Sequence, residues 1–97
     1  MIKVIVLYGH PESPDAFEDY YNGTHMPIAG TMKNVAIEAY KVIGTPDGST
    51  PPYYRIAELS FESPEQMQAT LGSPEGQATV ADIPNFATGG ATVLIAG

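Results

Sequence analysis

The sequence lacks cysteine and tryptophan, and only four basic residues oppose eleven acidic ones, which gives a formal net charge of −7. Without cysteine the chain has no disulfide framework, no thiolate nucleophile and no cysteine-based zinc site. Its acidic balance is the opposite of what nucleic acids or anionic membrane surfaces attract. We therefore expect neither a nucleic-acid partner nor a membrane partner.

Long apolar runs are also absent. Residues 4–8 form an apolar run that is far too short for a signal-peptide core or a membrane span. Hydrophobic residues nevertheless make up 43% of the chain, which is enough for a packed core. We expect one cytoplasmic domain, residues 1–97, of a size that folds alone but gains stability from association.

The most informative stretch runs from Ser13 to Met32. Ser13 can cap a helix by accepting a backbone N–H, and the proline and aspartate that follow suit the first helical turn. Spacings of three and four then predict one buried helix face, which consists of Phe17, Tyr20, Tyr21, Thr24 and Ile28.

Pro27 interrupts this helix pattern. It lacks an N–H and crowds the carbonyl four residues earlier, so the helix is predicted to bend or stop near Gly23–Met26. The proline should also push Met26 away from helical backbone angles. His25 would lie at this break, either as an acid or base beside a ligand or as a hydrogen-bonded residue at a helix end.

Alternating apolar residues and chain breakers predict the remaining elements. Strands are expected at residues 2–8, 35–43, 53–62 and 91–96, with a loop at 44–52. Two more serine–proline starts, at Ser63 and Ser73, predict a two-part helix. The order β-α-β-β-α-β is the split βαβ pattern of a ferredoxin-like α+β domain, with a four-stranded antiparallel sheet and helices on one face.

The first and last strands are apolar on both faces, although the helices can cover only one face of the sheet. The short chain offers no further segment to cover the other face. A second copy of the chain is the simplest cover, so we predict a homodimer; a different partner protein is the alternative.

Catalytic motifs are scarce. His10 and His25 are the only histidines, and a helix places them about 15 Å apart, so neither a two-histidine metal site nor a histidine acid–base pair is expected. No nucleophile elbow and no phosphate-binding glycine pattern is present, so we expect no cofactor. What remains is an apolar cleft between sheet and helices in which His25 acts as acid or base and Tyr8 lines the mouth. Tyr21 would donate to a substrate oxygen or be oriented near it.

Glu58 and Asp82 are the carboxylates best placed to assist His25. The structural alternatives are an ion pair at the dimer interface for Glu58 and a helix-end cap for Asp82. For the aromatic residues the alternative to ligand binding is a place in the core.

The pattern Phe17-x-x-Tyr20-Tyr21-x-x-x-His25-x-Pro27, after a strand ending in Tyr8, resembles the EthD family, named for ethyl tert-butyl ether degradation. The stretches Ala57-Glu58-Leu59-x-Phe61-x-Ser63 and Asp82-x-x-Asn85-Phe86 are similar to that family too. The resemblance implies a small dimeric α+β barrel. His10 before Pro11 departs from the family pattern, which puts any special role for His10 in doubt.

Relatives with this architecture include lactone isomerases, polyketide cyclases, cofactor-free monooxygenases and decarboxylase-like proteins. We therefore expect a small cofactor-independent enzyme that acts on a hydrophobic lactone, aromatic or polyketide-like compound in a degradative or biosynthetic pathway. One alternative is a non-catalytic accessory or ligand-binding protein for ether or aromatic degradation, and another, weaker one is a heme-degrading protein or a cofactor-free monooxygenase. The expected catalytic residues are His25 and Tyr21, and the expected substrate-binding residues are Tyr8, Phe17, Tyr20, Ile28, Glu58, Asp82 and Phe86.

Overall fold

A computed structural model describes residues 1–97 of the chain. In it, serine–proline pairs begin three of the helices. At each start the serine hydroxyl accepts a hydrogen bond from the backbone N–H three residues later. In chain order the elements are β1 (Ile2–Tyr8), α1 (Pro14–Tyr20), a π-helical turn (Tyr21–His25), α2 (Met26–Ala29), β2 (Ala36–Lys41), β3 (Arg55–Phe61), α3 (Pro64–Gly72), α4 (Pro74–Asp82), a 3-10 turn (Ile83–Asn85) and β4 (Ala91–Ala96).

The predicted order of elements is confirmed, but β2 and β3 are shorter than predicted. Beyond the ladder, isolated backbone bonds join Val42 to Tyr54 at 2.9 Å and Tyr54 to Tyr8 at 2.7 Å. Asn34 adopts a φ of 60°, so the regular extended backbone begins only after it. None of the helices combines the length and apolar character needed to cross a bilayer.

The four strands form one antiparallel sheet in the order β2-β3-β1-β4. Alternation along β1 and β3 sends one set of side chains toward the helices. This helix-covered face supplies half of the buried core, namely Val4, Val6, Tyr8, Ala57, Leu59 and Phe61.

The opposite, helix-free face carries apolar residues that are only half-buried, including Ile5, Leu7 and Ile56. β4 is exposed along its whole length, on both sides. Leu94 is 48% exposed and Ile95 is 65% exposed. The protomer therefore presents an apolar surface that its own helices leave uncovered.

The helix interrupted by Pro27 differs from the prediction. Met26 keeps helical angles (φ −63°, ψ −38°), and its N–H donates to the carbonyl of Tyr21, five residues back. The wider π turn accommodates the proline, which provides no N–H of its own, so the chain continues into α2 instead of stopping. Thr24, predicted on the buried face, is exposed, whereas His25 is buried.

Candidate active site

An imidazole–carboxylate pair lies where α2 packs against α4. His25 ends the π turn and Asp82 ends α4, and His25 Nδ1 lies 2.9 Å from Asp82 Oδ2. Both residues are buried, with 4% of His25 and 7% of Asp82 exposed. The fold thus brings together two titratable groups that are 57 positions apart in the sequence.

The carboxylate of Asp82 has two further donors. The Tyr20 hydroxyl donates to Oδ1 at 2.5 Å, and Asn85 Nδ2 donates to the same oxygen at 3.0 Å. Burial by itself raises the pKa of Asp82, but the hydrogen bonds from Tyr20, Asn85 and His25 outweigh burial and bring this pKa below its ordinary value. Asp82 is therefore ionised at neutral pH.

The ionised carboxylate fixes the tautomer of the neutral imidazole. A carboxylate can only accept hydrogen bonds, so Nδ1 of His25 must carry the proton that lies between the two groups. Nε2 then holds a lone pair, while the hydrogen bond of the ring is the one through Nδ1. Because His25 lines a cavity, this nitrogen is positioned to act as a base toward a bound molecule.

The cavity lies between the helix-covered face of the sheet and the helices, and it measures about 120 Å³. Of its sixteen lining residues, fourteen are hydrophobic, and the other two are His25 and Thr79. Val80 and Val93 also line it, and each is 54% exposed, which places the opening between α4 and β4. A cavity of roughly 150 Å³ binds benzene, so this one suits a molecule with about one ring.

Two phenols line the same cavity. Tyr8 and Tyr21 are each 1% exposed to solvent, and the side chains of both contribute to the cavity wall. Burial raises the pKa of both tyrosines, so both hydroxyls stay protonated and can donate. His25, Tyr8 and Tyr21 are thus the predicted site residues that the fold brings to the cavity.

Other predicted residues lie behind His25 or Tyr21 without lining the cavity. The Phe86 ring lies 4.5 Å from the imidazole and 5.6 Å from the Tyr20 ring, measured between centroids. Phe17 stacks on Tyr21 at 5.5 Å. Together with Asp82 these residues support the cavity wall, and direct substrate contact by them stays a prediction.

Glu58 and Ile28 lie apart from this cluster. Glu58 points to the helix-free face, where it accepts a hydrogen bond from Lys3 Nζ at 3.0 Å. Ile28 is half-buried and lies outside the cavity lining. His10, also outside the lining, pairs through Nε2 with the carbonyl of Pro51 at 2.7 Å.

Sequence reasoning missed a partly buried ion pair beside the cavity. Arg55 Nη2 donates to Glu18 Oε1 at 2.5 Å, and the Tyr54 hydroxyl donates to the other Glu18 oxygen at 3.1 Å. The guanidinium carbon of Arg55 lies 4.7 Å from the centroid of the Tyr21 ring. The alternation along β3 could have revealed that Arg55 is buried, because Arg55 shares the buried face of this strand with Ala57.

The strand order and the one-sided helices define a ferredoxin-like α+β fold, as predicted. The family model for the EthD domain matches residues 9–90, and the chain belongs to the EthD family. The resemblance noted in the sequence is therefore confirmed.

Individual proteins support this assignment. An uncharacterized 11.0 kDa protein from the thcB-thcC intergenic region of Rhodococcus erythropolis is 38% identical over 94 residues, covering 97% of this chain and 91% of that protein. The crystal structure of an EthD family protein from Bacillus halodurans superposes with a TM-score of 0.92 at 28% identity, covering 100% of this chain and 97% of that one.

A dimeric protein of unknown function from Bacteroides fragilis, described as having a ferredoxin-like fold, superposes with a TM-score of 0.68. It is 13% identical, and the match covers 98% of this chain and 93% of that one. At this level of identity the likeness shows the shared fold alone.

Proposed function

We propose that residues 1–97 form one domain of a small cofactor-independent enzyme that uses His25 to move a proton on a hydrophobic molecule. The observation that carries this proposal is the pairing of Nδ1 with a buried, ionised Asp82, in a histidine that lines an apolar cavity. A positioned base of this kind contributes about 10²–10⁴ in rate.

Asp82 supports the base in two ways. It orients the imidazole so that Nε2 faces the cavity, and it stabilises the imidazolium that forms when Nε2 takes a proton. Tyr20 and Asn85 hold the carboxylate in place, so the ring has little freedom to turn away.

The cavity limits the substrate to a small hydrophobic compound such as a lactone, an aromatic molecule or a short polyketide-like chain. Its lining offers apolar contact almost throughout, with polar groups only at the imidazole, the two phenols and Thr79. Heme breakdown is not proposed, since a cavity of about 120 Å³ matches one ring and not a porphyrin.

We also propose that the working form is a homodimer. The helix-free face leaves apolar side chains exposed or half-buried, including Leu94, Ile5 and Leu7. A second copy would cover this surface, and the Bacteroides fragilis protein of the same fold is described as dimeric.

Deuterium exchange tests the proposed base. Purified protein is incubated in deuterated water with a panel of ring-sized lactones and cyclic ketones, and deuterium incorporation is followed by NMR. We expect faster exchange for at least one compound, and we expect His25→Gln to reduce the rate by about 10²–10⁴. His10→Gln is the matched control and should exchange like the wild type, because His10 lies outside the cavity.

A non-catalytic binding protein is the second candidate, favoured by the almost entirely hydrophobic lining. In that case the panel compounds would bind but be recovered without deuterium. Exchange that is equally fast in His25→Gln would contradict the proposed role of His25.

A further inference from the structure

Tyr8, Tyr21 and Arg55 form a second polar group beside the cavity, which we call the tyrosine–arginine corner. Tyr8 and Arg55 are direct partners in the β1–β3 ladder, and both lie on its buried face. Tyr21 completes the group from the π turn, with its ring 5.8 Å from the Tyr8 ring and 4.7 Å from the guanidinium carbon of Arg55.

The corner offers polar groups to a bound molecule. Arg55 Nε is a buried side-chain nitrogen without a hydrogen-bond partner, and Tyr8 and Tyr21 line the cavity. The side chain of Arg55 is only 10% exposed. Buried polar groups are normally paired, because leaving one unpaired costs stability, so the unpaired Arg55 Nε beside two cavity-lining phenols favours a ligand at this corner.

Tyr8, Tyr21 and Arg55 can all donate hydrogen bonds to a ligand. Neutral phenols and a guanidinium can each donate, and together they favour an acceptor with negative charge. Glu18, at 2.5 Å from Arg55, balances part of the cationic charge and is the carboxylate that acts on Tyr21, whereas Asp82 is the carboxylate that acts on Tyr8. Burial raises the pKa of both phenols, whereas Arg55 acts in the opposite direction on each and so strengthens them as donors.

We propose that the tyrosine–arginine corner stabilises negative charge on a substrate oxygen, and that the substrate is a ring-sized enolisable carbonyl compound. This inference rests on the proposed function, since it needs Nε2 of His25 as the base. In it Tyr8 and Tyr21 contact the substrate, and Arg55 is a positioning residue that acts through the Tyr21 ring and on the Tyr8 hydroxyl.

The step is a proton transfer that needs no further reactant. Nε2 takes a proton from the carbon next to the carbonyl, and the C–H electron pair becomes the new carbon–carbon double bond. The carbonyl π electrons move onto the oxygen, which becomes an enolate oxygen that accepts hydrogen bonds from the two phenols. The proton stays on Nε2 beside Asp82 until it returns to the same carbon or to another one.

Binding of para-nitrophenol tests the corner without a known substrate. Its phenolate is a ring-sized oxyanion with its own visible absorption, and nitrobenzene is a matched probe that lacks the phenolic oxygen. We expect bound para-nitrophenol to ionise at a lower pH than the free compound. Tyr8→Phe and Tyr21→Phe should each weaken phenolate binding about 10–100-fold, the range for a hydrogen bond to a charged group, and leave nitrobenzene binding unchanged.

Two further variants isolate the contributions of His25 and Arg55. In a His25→Gln background the tyrosine substitutions should still weaken phenolate binding, because the corner acts separately from the base. Arg55→Gln should raise the pH at which the bound probe ionises, whereas Arg55→Lys should restore most of the wild-type behaviour because it keeps a positive charge. A purely structural role for Arg55 would weaken both probes equally.

The outcomes separate the two proposals. If the tyrosine variants bind both probes like the wild type, or lose both equally, the corner inference is overturned, and the deuterium-exchange result for His25 stands by itself. If the wild type binds neither probe, the cavity does not admit a ring, and both proposals fail.

Discussion

The same strands form both faces of the sheet, but the carboxylates on the two sides differ in burial and in the number of their hydrogen bonds. On the helix-covered side Asp82 is 7% exposed, and three donors hold its carboxylate. On the helix-free side Glu58 pairs only with Lys3, and the two side chains are 28% and 44% exposed. A carboxylate thus becomes part of a candidate site through the face on which it is buried and not through its residue type.

The largest difference between the faces should appear when core volume is removed. Phe61, 1% exposed, packs on the helix-covered face, so Phe61→Ala should lower the free energy of unfolding by about 3–5 kcal/mol. Chemical denaturation followed by circular dichroism measures this loss. Ile43→Ala is the control, since Ile43 is 98% exposed and should be nearly silent. If both variants lost the same free energy of unfolding, burial of Phe61 on the helix-covered face would not account for the loss.

The next largest effect concerns association through the helix-free face. Leu94 lies opposite Ile5 in the β1–β4 ladder, and both point to this face. Leu94→Asp would bury a charge in the proposed dimer contact and should raise the dissociation constant roughly 100-fold, or about 3 kcal/mol. Light scattering over a concentration series measures the association.

Ile43→Asp serves as the matched control for Leu94→Asp, because it adds the same charge at an exposed apolar residue outside the sheet. It should leave the dimer intact. A wild-type protein that is monomeric at every concentration would refute the proposed homodimer.

A smaller effect is expected for Asp82→Asn, about 1–2 kcal/mol at neutral pH, because the amide keeps an acceptor for Tyr20 and Asn85 but loses the charged bond to His25. The native pKa of Asp82 lies below its ordinary value of 3.8, so its stabilisation is complete above that pH. It is lost as the pH falls from 3.8 through the native pKa.

Unfolding free energies measured across the acidic range test this pH dependence. The Asp82→Asn variant should lose part of the wild-type slope, while Asp19→Asn, at an exposed position of α1, should retain it. A slope in Asp82→Asn that matches the wild type would mean that Asp82 does not contribute in this way.

The smallest effect is expected for Glu58→Gln. Its partly exposed ion pair with Lys3 should contribute less than about 1 kcal/mol, and added salt should reduce that contribution further. The free energy of unfolding should be measured in the Leu94→Asp background. There the proposed dimer is dissociated, so the helix-free face is in contact with water. A loss there as large as that in Asp82→Asn would show that the two faces do not differ as proposed.

Local signals were sufficient to predict most of the fold. Serine–proline helix starts and alternating strands can be recognised from patterns of a few neighbouring residues. The order of these elements then restricts the possible topologies. The π turn escaped prediction because the rule for residues before proline describes typical backbone angles. It does not anticipate that a widened turn removes the clash at Met26.

The candidate site could be predicted only in part. His25 stood out because histidine is rare in this chain and this one lies two residues before Pro27, and Tyr21 lies one helical turn before it. The choice between Asp82 and Glu58 depends on how α4 packs against α2, which no spacing in the sequence specifies. The Arg55–Glu18 pair joins a strand to a helix, so each charge appeared isolated until the fold brought them together.

The central claim is that ionised Asp82 keeps the proton of neutral His25 on Nδ1 and leaves Nε2 free as a base. Nitrogen NMR of selectively labelled histidine identifies the tautomer directly. We predict the Nδ1–H tautomer in the wild type and the Nε2–H tautomer in Asp82→Asn, where the amide N–H must be accepted by Nδ1. An Nε2–H tautomer in the wild type would contradict the account.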